Sequence, residues 1–188
     1  MINKEDFTKL RKDIHNMDSI REEVIHLSRE AISLSKQVIY AAQRDDLKTA
    51  EQSLKNLKGR INKLRKFKIE LDTSMKSVAM QEYVEAACFY DFVKNKRIPT
   101  SESLNVNAEE YLSGICDLTG ELVRKAIYEV IHKNFTEAGR IKELVDDIYG
   151  EFLKLNLRNG DLRKKSDSIK WNLKKLEEVM YDISIKSR

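Results

Sequence analysis

Residues 7–41 read FTKLRKDIHNMDSIREEVIHLSREAISLSKQVIYA, and the spacing of the apolar side chains in this stretch decides the fold class. The apolar residues recur at steps of three and four, with one irregular step at Ile20. They are Phe7, Leu10, Ile14, Met17, Ile20, Val24, Leu27, Ala31, Leu34, Val38 and Ala41. Residues three and four apart share one face of an α-helix, whereas successive residues of a strand alternate between faces. The stretch therefore predicts one long amphipathic helix with its apolar stripe in the core.

The same spacing continues along the rest of the chain. A second stripe, from Leu47 to Leu71, follows a polar turn in which Asp45 or Asp46 is suited to cap the helix. Further helices are predicted at 72–96, 108–133, 136–155 and 161–185, and a loop at 97–107 around the only proline. Helices joined by short connections predict an all-α bundle, formed as a single domain over residues 1–188.

Composition agrees with a helical protein and sets few limits on function. The chain has 35 Lys and Arg against 31 Asp and Glu, so its net charge of +4 does not select a class of partner. No window approaches the roughly 20 apolar residues that cross a bilayer, so we expect a soluble, cytoplasmic protein with no membrane partner. Cys88 and Cys116 lack the spacing of a redox or zinc motif and are predicted to be reduced, buried thiols.

Two acidic residues interrupt the apolar stripe of the third predicted helix. The stripe reads Met75, Val78, Glu82, Glu85, Phe89 and Phe92, which places both carboxylates on one face, about one turn apart. An unpaired buried carboxylate is costly. These two therefore need solvent in a cleft, a partner from another helix, or a metal ion.

The fourth predicted helix carries a second acidic pair. Residues 114–121 read GICDLTGE, and Asp117 and Glu121 share a face at a spacing of four. A glycine inside a helix costs about 1 kcal/mol relative to alanine, so Gly114 and Gly120 indicate close approach of another helix or of a ligand. Arg124, one turn beyond Glu121, is placed to pair with that acid or to contact a phosphate.

Four oxygen donors without a histidine suit hard cations such as Mg²⁺ or Mn²⁺, which also bind phosphate oxygens. The pattern therefore favours metal-assisted phosphoryl chemistry, in which the metal activates water. Two alternatives stay open at this point. The acids are equally consistent with solvated or salt-bridged positions, and the motifs Glu23-Val-Ile-His26 and Glu129-Val-Ile-His132 are typical of di-iron helical bundles.

Basic residues are concentrated in two segments. Between residues 52 and 69 there are seven cations and no acid: Lys55, Lys58, Arg60, Lys63, Arg65, Lys66 and Lys68. A second group lies at the start and middle of the last predicted helix: Arg158, Arg163, Lys164, Lys165, Lys170, Lys174 and Lys175, of which Arg163, Lys164 and Lys165 are the candidates for binding nucleic acid. Each group is either a solvated face or, beside a phosphodiester-cleaving site, a track for a nucleic-acid backbone. We predict the track, with Arg124 contributing to it.

Several motifs resemble the translin and translin-associated family. The run EEYLSGICDLTGEL at 109–122 resembles its signature helix, and DLTGEL and the QEYVEA run at 81–86 are similar to the catalytic, translin-associated branch. The segments LNLRN at 155–159 and KKLEEVMYD at 174–182 look more like translin. The chain thus combines both branches, as a single-gene prokaryotic homologue of archaeal type would.

This resemblance implies an elongated antiparallel bundle of six to seven helices that assembles into a homo-oligomeric, hollow, octamer-like shell with its sites facing inward. It implies a Mg²⁺-dependent endoribonuclease that cuts single-stranded RNA, with Mn²⁺ as a substitute. Carried onto this chain, Glu82, Glu85 and Asp117 are the metal ligands and catalytic acids, and Glu121 completes the set. Single-stranded DNA stays open as a substrate, because the metal mechanism needs no 2′-hydroxyl. A non-catalytic nucleic-acid scaffold and a translin paralogue as partner also stay open.

Overall fold

A computed structural model describes residues 2–67 and 74–186, which form seven helices and no strand. The helices are α1 Lys4–Gln43, α2 Leu47–Leu64, α3 Ser74–Asn95, α4 Ser101–Leu104, α5 Ala108–Ile131, α6 Phe135–Leu153 and α7 Asp161–Lys186. The all-α prediction is confirmed. Among the described residues, no helix is both long and apolar enough to span a membrane.

Two predicted boundaries need correction. The predicted loop at 97–107 contains α4, a single turn that begins where the Thr100 side chain accepts a hydrogen bond from the backbone of Ser103. The second helix was predicted to reach Leu71, but α2 ends at Leu64. The residues between that end and α3 include Lys68, Leu71 and the predicted cap at Asp72 and Thr73, all of which lie outside the described residues.

The turn between α1 and α2 shows why both aspartates belong there. Asp46 is the N-cap of α2, and its carboxylate accepts a hydrogen bond from Thr49 N. Asp45 has a left-handed backbone, with φ 60°, which Asp tolerates better than most residues. Its carboxylate accepts a hydrogen bond from Lys125 Nζ at 2.7 Å. The α1–α2 hairpin is thereby tied to α5.

Helix α3 lies at the centre of the molecule, packed against α1, α2 and α5. Residues 83–90 are buried without interruption, so this helix is covered on more than the one stripe that its spacing predicted. α5 in turn packs against α6 and α7. Cys88 and Cys116, one on each of the two inner helices, are free and buried, as predicted.

The first half of α1 differs from its prediction as a core helix. Residues 2–23 are all exposed, including Phe7, Leu10, Ile14 and Met17 of the predicted stripe. Burial begins at Val24, where α1 meets the other helices. The spacing identified the apolar face correctly, but within this chain that face is uncovered over its first five turns.

The two helical glycines predicted to mark close approach behave differently. A Cβ atom added at Gly114 would lie 2.6 Å from Val84 Cβ and 2.7 Å from the backbone oxygen of Gln81, so α3 and α5 are in direct backbone contact there. At Gly120 the nearest atom is Asn172 Nδ2, at 3.8 Å, which is ordinary contact. Close approach of a helix is therefore confirmed at Gly114 and not found at Gly120, where approach of a ligand stays a prediction.

Replacing Gly114 by alanine should separate α3 from α5. We expect the free energy of unfolding to fall by roughly 1–3 kcal/mol, because overpacking outweighs the gain in helix propensity. The matched control is Gly59→Ala on α2, where nothing lies within 4 Å of the added Cβ. That change should stabilise the protein by about 0.5–1 kcal/mol. Urea unfolding measures both, and equal effects in the two variants would contradict the close contact.

Candidate carboxylate site

All four predicted carboxylates line one open cavity of about 900 Å³. Glu82 and Glu85 come from α3, and Asp117 and Glu121 come from α5. The remaining walls include Lys36 and Tyr40 of α1, Arg124 of α5 and Lys165 of α7. Four helices thus contribute to a pocket lined by four acidic side chains and by the basic side chains of Lys36, Arg124 and Lys165. We name this pocket the carboxylate site.

The backbone contact at Gly114 explains how the two acidic pairs meet. Gly114 touches the turn of α3 that runs from Gln81 to Val84, and this turn carries Glu82 and directly precedes Glu85. Asp117 follows Gly114 by three residues, about one helical turn. This close contact between α3 and α5 therefore lies directly beside the acids.

Glu85 is the most perturbed acid of the site. Its side chain is buried, with 8% of the residue exposed. Loss of solvation, followed by repulsion from Glu82, Asp117 and Glu121, raises the pKa of Glu85 to about 8, although Lys165 opposes the rise. At neutral pH this carboxyl therefore retains its proton in the metal-free protein.

Glu82 is half-buried and responds to the same surroundings. Loss of solvation is the largest cause that raises the pKa of its carboxyl, and Lys36 opposes that rise most strongly. Three cations, Lys36, Arg124 and Lys165, line the same cavity as the four acids. Acidic and basic side chains are therefore mixed in its walls.

Asp117 is paired with a cation from the last long helix. Lys165 Nζ donates hydrogen bonds to Asp117 Oδ2 and to Gln81 Oε1, the second at 3.1 Å. Side chains of Asp117 and Lys165 each remain about one-third exposed. Of the three predicted cations at the start of α7, Lys165 lines the site, whereas Arg163 and Lys164 pair with Asp167 and Asp161 on the protein surface.

Glu121 is held from two sides. Gln43 Nε2, at the end of α1, donates to both the backbone oxygen and Oε2 of Glu121, each at 2.9 Å. Arg124 Nη1 lies 3.0 Å from Oε1 and 2.8 Å from Oε2 of the same carboxylate. The prediction that Arg124 pairs with Glu121 is confirmed.

The donor set suits a hard divalent cation chemically, since it consists of carboxylates and one of them is buried without its charge. In the described conformation, no group of three or more His, Cys, Asp or Glu side chains in residues 2–67 and 74–186 is spaced to hold a metal ion. Asp117 and Glu121 are instead engaged by Lys165, Gln43 and Arg124. Metal binding here requires the acids to exchange these partners.

The predicted cations of α2 do not meet at this cavity. Arg60 pairs with Glu30 of α1 at 2.8 Å. Arg65 Nη2 donates to the backbone oxygens of Leu104 and Asn105, at 2.5 and 3.0 Å, so it supports the turn after α4. The other described members, Lys55, Lys58, Lys63 and Lys66, are exposed. Their contact with nucleic acid stays a prediction.

The two Glu-x-x-His motifs lie apart from the carboxylate site. Glu23 and His26 are exposed on α1. Glu129 accepts hydrogen bonds from Lys125 and Asn134, and His132 Nδ1 lies 2.8 Å from the backbone oxygen of Tyr128. The first motif is exposed, the second is held in contacts within the chain, and neither lines the carboxylate site, which does not favour the di-iron alternative.

Sequence reasoning missed Lys36, Tyr40 and Gln43 as members of the site. All three come from α1, whose apolar spacing predicts only which face is buried. One feature of the sequence indicated Gln43: it is a polar residue that directly follows the apolar residues Ala41 and Ala42 at the buried end of the helix. For Lys36 and Tyr40 the spacing contained no signal.

Fold and site together define an all-helical protein with a pocket lined by carboxylates from two adjacent helices. The chain belongs to the Translin family, whose family model matches residues 19–187. Translin from Gallus gallus is 31% identical over 121 residues, which cover 57% of this chain and 53% of that protein. The chain therefore spans about half the length of the curated translins that it matches.

Solved structures share the fold over nearly the whole chain. The structure of apo-NeC3PO matches with a TM-score of 0.86 and 32% identity, covering 96% of this chain and 97% of that chain. The structure of AfC3PO matches with a TM-score of 0.88 and 26% identity, covering 96% and 98%. AfC3PO has also been solved as a complex with duplex RNA.

The raised pKa of Glu85 predicts how stability depends on pH. Between the ordinary value of 4.5 and about 8, the folded state binds more protons than the unfolded state, so the free energy of unfolding falls as pH rises. Glu85→Gln removes this titration. In EDTA, the stability of the variant relative to the natural protein should grow by roughly 2–4 kcal/mol from pH 5 to pH 8.

Urea unfolding across this pH range measures the difference, and Glu178→Gln, at an exposed acid of α7, is the matched control. The control should follow the natural protein at every pH. A constant difference between Glu85→Gln and the natural protein would show that Glu85 is ionised throughout.

Proposed function

We propose that this protein is a metal-dependent endoribonuclease that cuts single-stranded RNA at the carboxylate site. The observation that carries the proposal is the convergence of four carboxylates from α3 and α5 on one cavity that also holds cations. This combination suits phosphodiester hydrolysis, because carboxylates bind a hard metal and cations bind phosphate oxygens.

Glu82, Glu85 and Asp117 would hold Mg²⁺ or Mn²⁺, with Glu121 completing the set. When bound, the metal supplies an activated water and charge stabilisation at the scissile phosphate. Arg124 of α5 and Lys36 of α1, which both line the cavity, would orient the substrate backbone. Gln43 keeps Glu121 directed at the site through its two hydrogen bonds.

RNA is proposed as the substrate on two grounds. AfC3PO, which shares the fold at 26% identity, has been solved with duplex RNA. The acidic motifs at 81–86 and 117–122 resemble the catalytic branch of the family. The proposed chemistry needs no 2′-hydroxyl, so single-stranded DNA is included in the test as a second substrate.

Replacing Asp117 by Asn should abolish Mg²⁺-dependent cleavage of a labelled single-stranded RNA, because it removes a charged ligand while keeping the side-chain shape. Glu82→Gln should do the same. Both variants should keep the helicity of the natural protein by circular dichroism. Glu178→Gln removes an exposed acid of α7 and should cleave at the natural rate.

The assay is run with Mg²⁺, with Mn²⁺ and with EDTA, on RNA and DNA oligomers of the same sequence. Equal cleavage by the natural protein and both site variants would remove these acids from the mechanism. RNA binding in EDTA without cleavage under any condition would instead identify the second candidate, a non-catalytic scaffold. The resemblance of residues 155–182 to translin favours that candidate.

Guidance of the substrate backbone along α2 is part of the same proposal. Lys55, Lys58 and Lys63 present exposed ammonium groups on α2, and Lys66 presents one just beyond its end. Such groups bind phosphates without reading sequence. Arg60 and Arg65 are held in contacts within the chain and would support the helix rather than the substrate. Binding should accordingly be tolerant of sequence.

We also propose a homo-oligomer, with the exposed stripe of α1 as a contact between copies. Phe7, Leu10, Ile14 and Met17 are about half exposed on a helix that projects from the core. A contiguous apolar stripe on a soluble protein is typical of an interface. We propose that a second copy of this chain covers the stripe, because the resemblance implies an octamer-like shell of identical subunits. A translin paralogue would take that place only in a mixed assembly.

Changing Leu10, Ile14 and Met17 together to Gln should dissociate the assembly, because the contact loses its apolar area. The matched control changes Lys9, Lys12 and Asn16, on the polar face of the same helix, to Gln. Light scattering after size exclusion measures the mass. The natural protein and the control should exceed the monomer mass, and an unchanged mass in the apolar variant would place the interface elsewhere.

A further inference from the structure

We propose that Lys165 is an internal counter-ion of the carboxylate site, which competes with the divalent cation for Asp117 and thereby sets the affinity for metal. This inference rests on the proposed function, since it assumes that the acids bind a metal. Lys165 then has a role beyond that of a cation in a basic track. Its ammonium group governs how readily the site exchanges a lysine for a metal ion.

The contacts of Lys165 join three helices at one point. The lysine comes from α7, and its Nζ donates to Asp117 Oδ2 of α5 and to Gln81 Oε1 of α3. Both acceptors are side chains of the helices that supply the four acids. The ammonium group therefore lies between the two acidic pairs, where its charge is felt by Glu82 and Glu85 as well.

Gln81 is oriented specifically to receive this ammonium group. Its Nε2 donates to Ser77 Oγ at 3.2 Å, which turns Oε1 toward Lys165. Gln81 precedes Glu85 by one turn of α3, so both side chains lie on neighbouring parts of one face. A neutral oxygen acceptor at this position holds the lysine without adding a negative charge to the site.

Lys165 differs in this respect from Arg124, the other cation bonded to one of the acids. Arg124 pairs with Glu121 within α5, and its side chain is 60% exposed. Lys165 reaches across from another helix and is about one-third exposed, so its pairing is less screened by solvent.

The expected consequence is an increase in metal affinity when the lysine charge is removed. Lys165→Met keeps the length and the apolar stem but has no charge to compete for Asp117. We expect Mn²⁺, the probe, to bind about tenfold more tightly, because a nearby unit charge no longer opposes it. Gln81→Met retains the charge but removes one of its two acceptors, and should tighten binding by a smaller factor.

Mn²⁺ binding to the full chain is measured by titration calorimetry and by the electron paramagnetic resonance of free Mn²⁺, without RNA. Lys174→Met is the matched control, because it removes the same charge from an exposed position of α7, where Lys174 lies 3.9 Å from Glu178. The control should change the affinity less than twofold. Circular dichroism establishes that each variant is helical, and Lys165→Arg, which keeps the charge, should bind Mn²⁺ as the natural protein does.

The outcomes separate the two proposals. In the first outcome, the natural protein binds Mn²⁺ and Asp117→Asn does not, but the affinity is unchanged or weaker in both Lys165→Met and Gln81→Met. This result would overturn the role of Lys165 and leave the metal-dependent function standing. Tighter binding in Lys165→Met with no change in Lys174→Met supports the inference. Absence of Mn²⁺ binding in the natural protein and in Lys165→Met would overturn the metal site itself, and the inference with it.

Discussion

The close contact of α3 with α5 at Gly114 is the constraint on which the carboxylate site depends. Only a residue without a side chain lets the α5 backbone lie against Gln81 and Val84. Because the acids flank this contact on both helices, their separation is determined by packing and not by their own interactions. The α3–α5 contact at Gly114 is part of the core, and it also keeps the mutually repelling acids close to one another.

Such an arrangement has an electrostatic cost, and the structure offsets it in two ways. Glu85, the most buried acid, keeps its proton near neutral pH because ionisation there is opposed by burial and by three neighbouring carboxylates. The other acids face cations contributed by α1, α5 and α7. Protonation and ion pairing thus let repelling acids share one pocket.

Much of the fold was predictable from the sequence, because helical periodicity is a local property. The six long helices follow from apolar spacing, and the acids were identifiable because Glu82 and Glu85 interrupt an apolar stripe. Periodicity does not reveal what covers a face, and for that reason the exposed stripe at Phe7 to Met17 was predicted as core. The contacts of Gln43 and Lys165 join residues 78 and 48 positions apart, so local patterns could not predict them.

This division between local and distant residues bears on how the site works. The acids belong to two neighbouring helices, and the α3–α5 contact brings the two pairs together. The groups that pair with and orient them come from α1 and α7 as well as from Arg124 of α5 itself. The α1–α2 turn is tied to α5 by the ion pair of Asp45 with Lys125, which lies one turn beyond Glu121. Placement of Gln43 therefore depends on an ion pair outside the cavity, and Lys165 depends on the docking of α7. Family members with identical acids can consequently differ in how those acids are paired and oriented, because pairing and orientation depend on the helices that surround the acidic pairs.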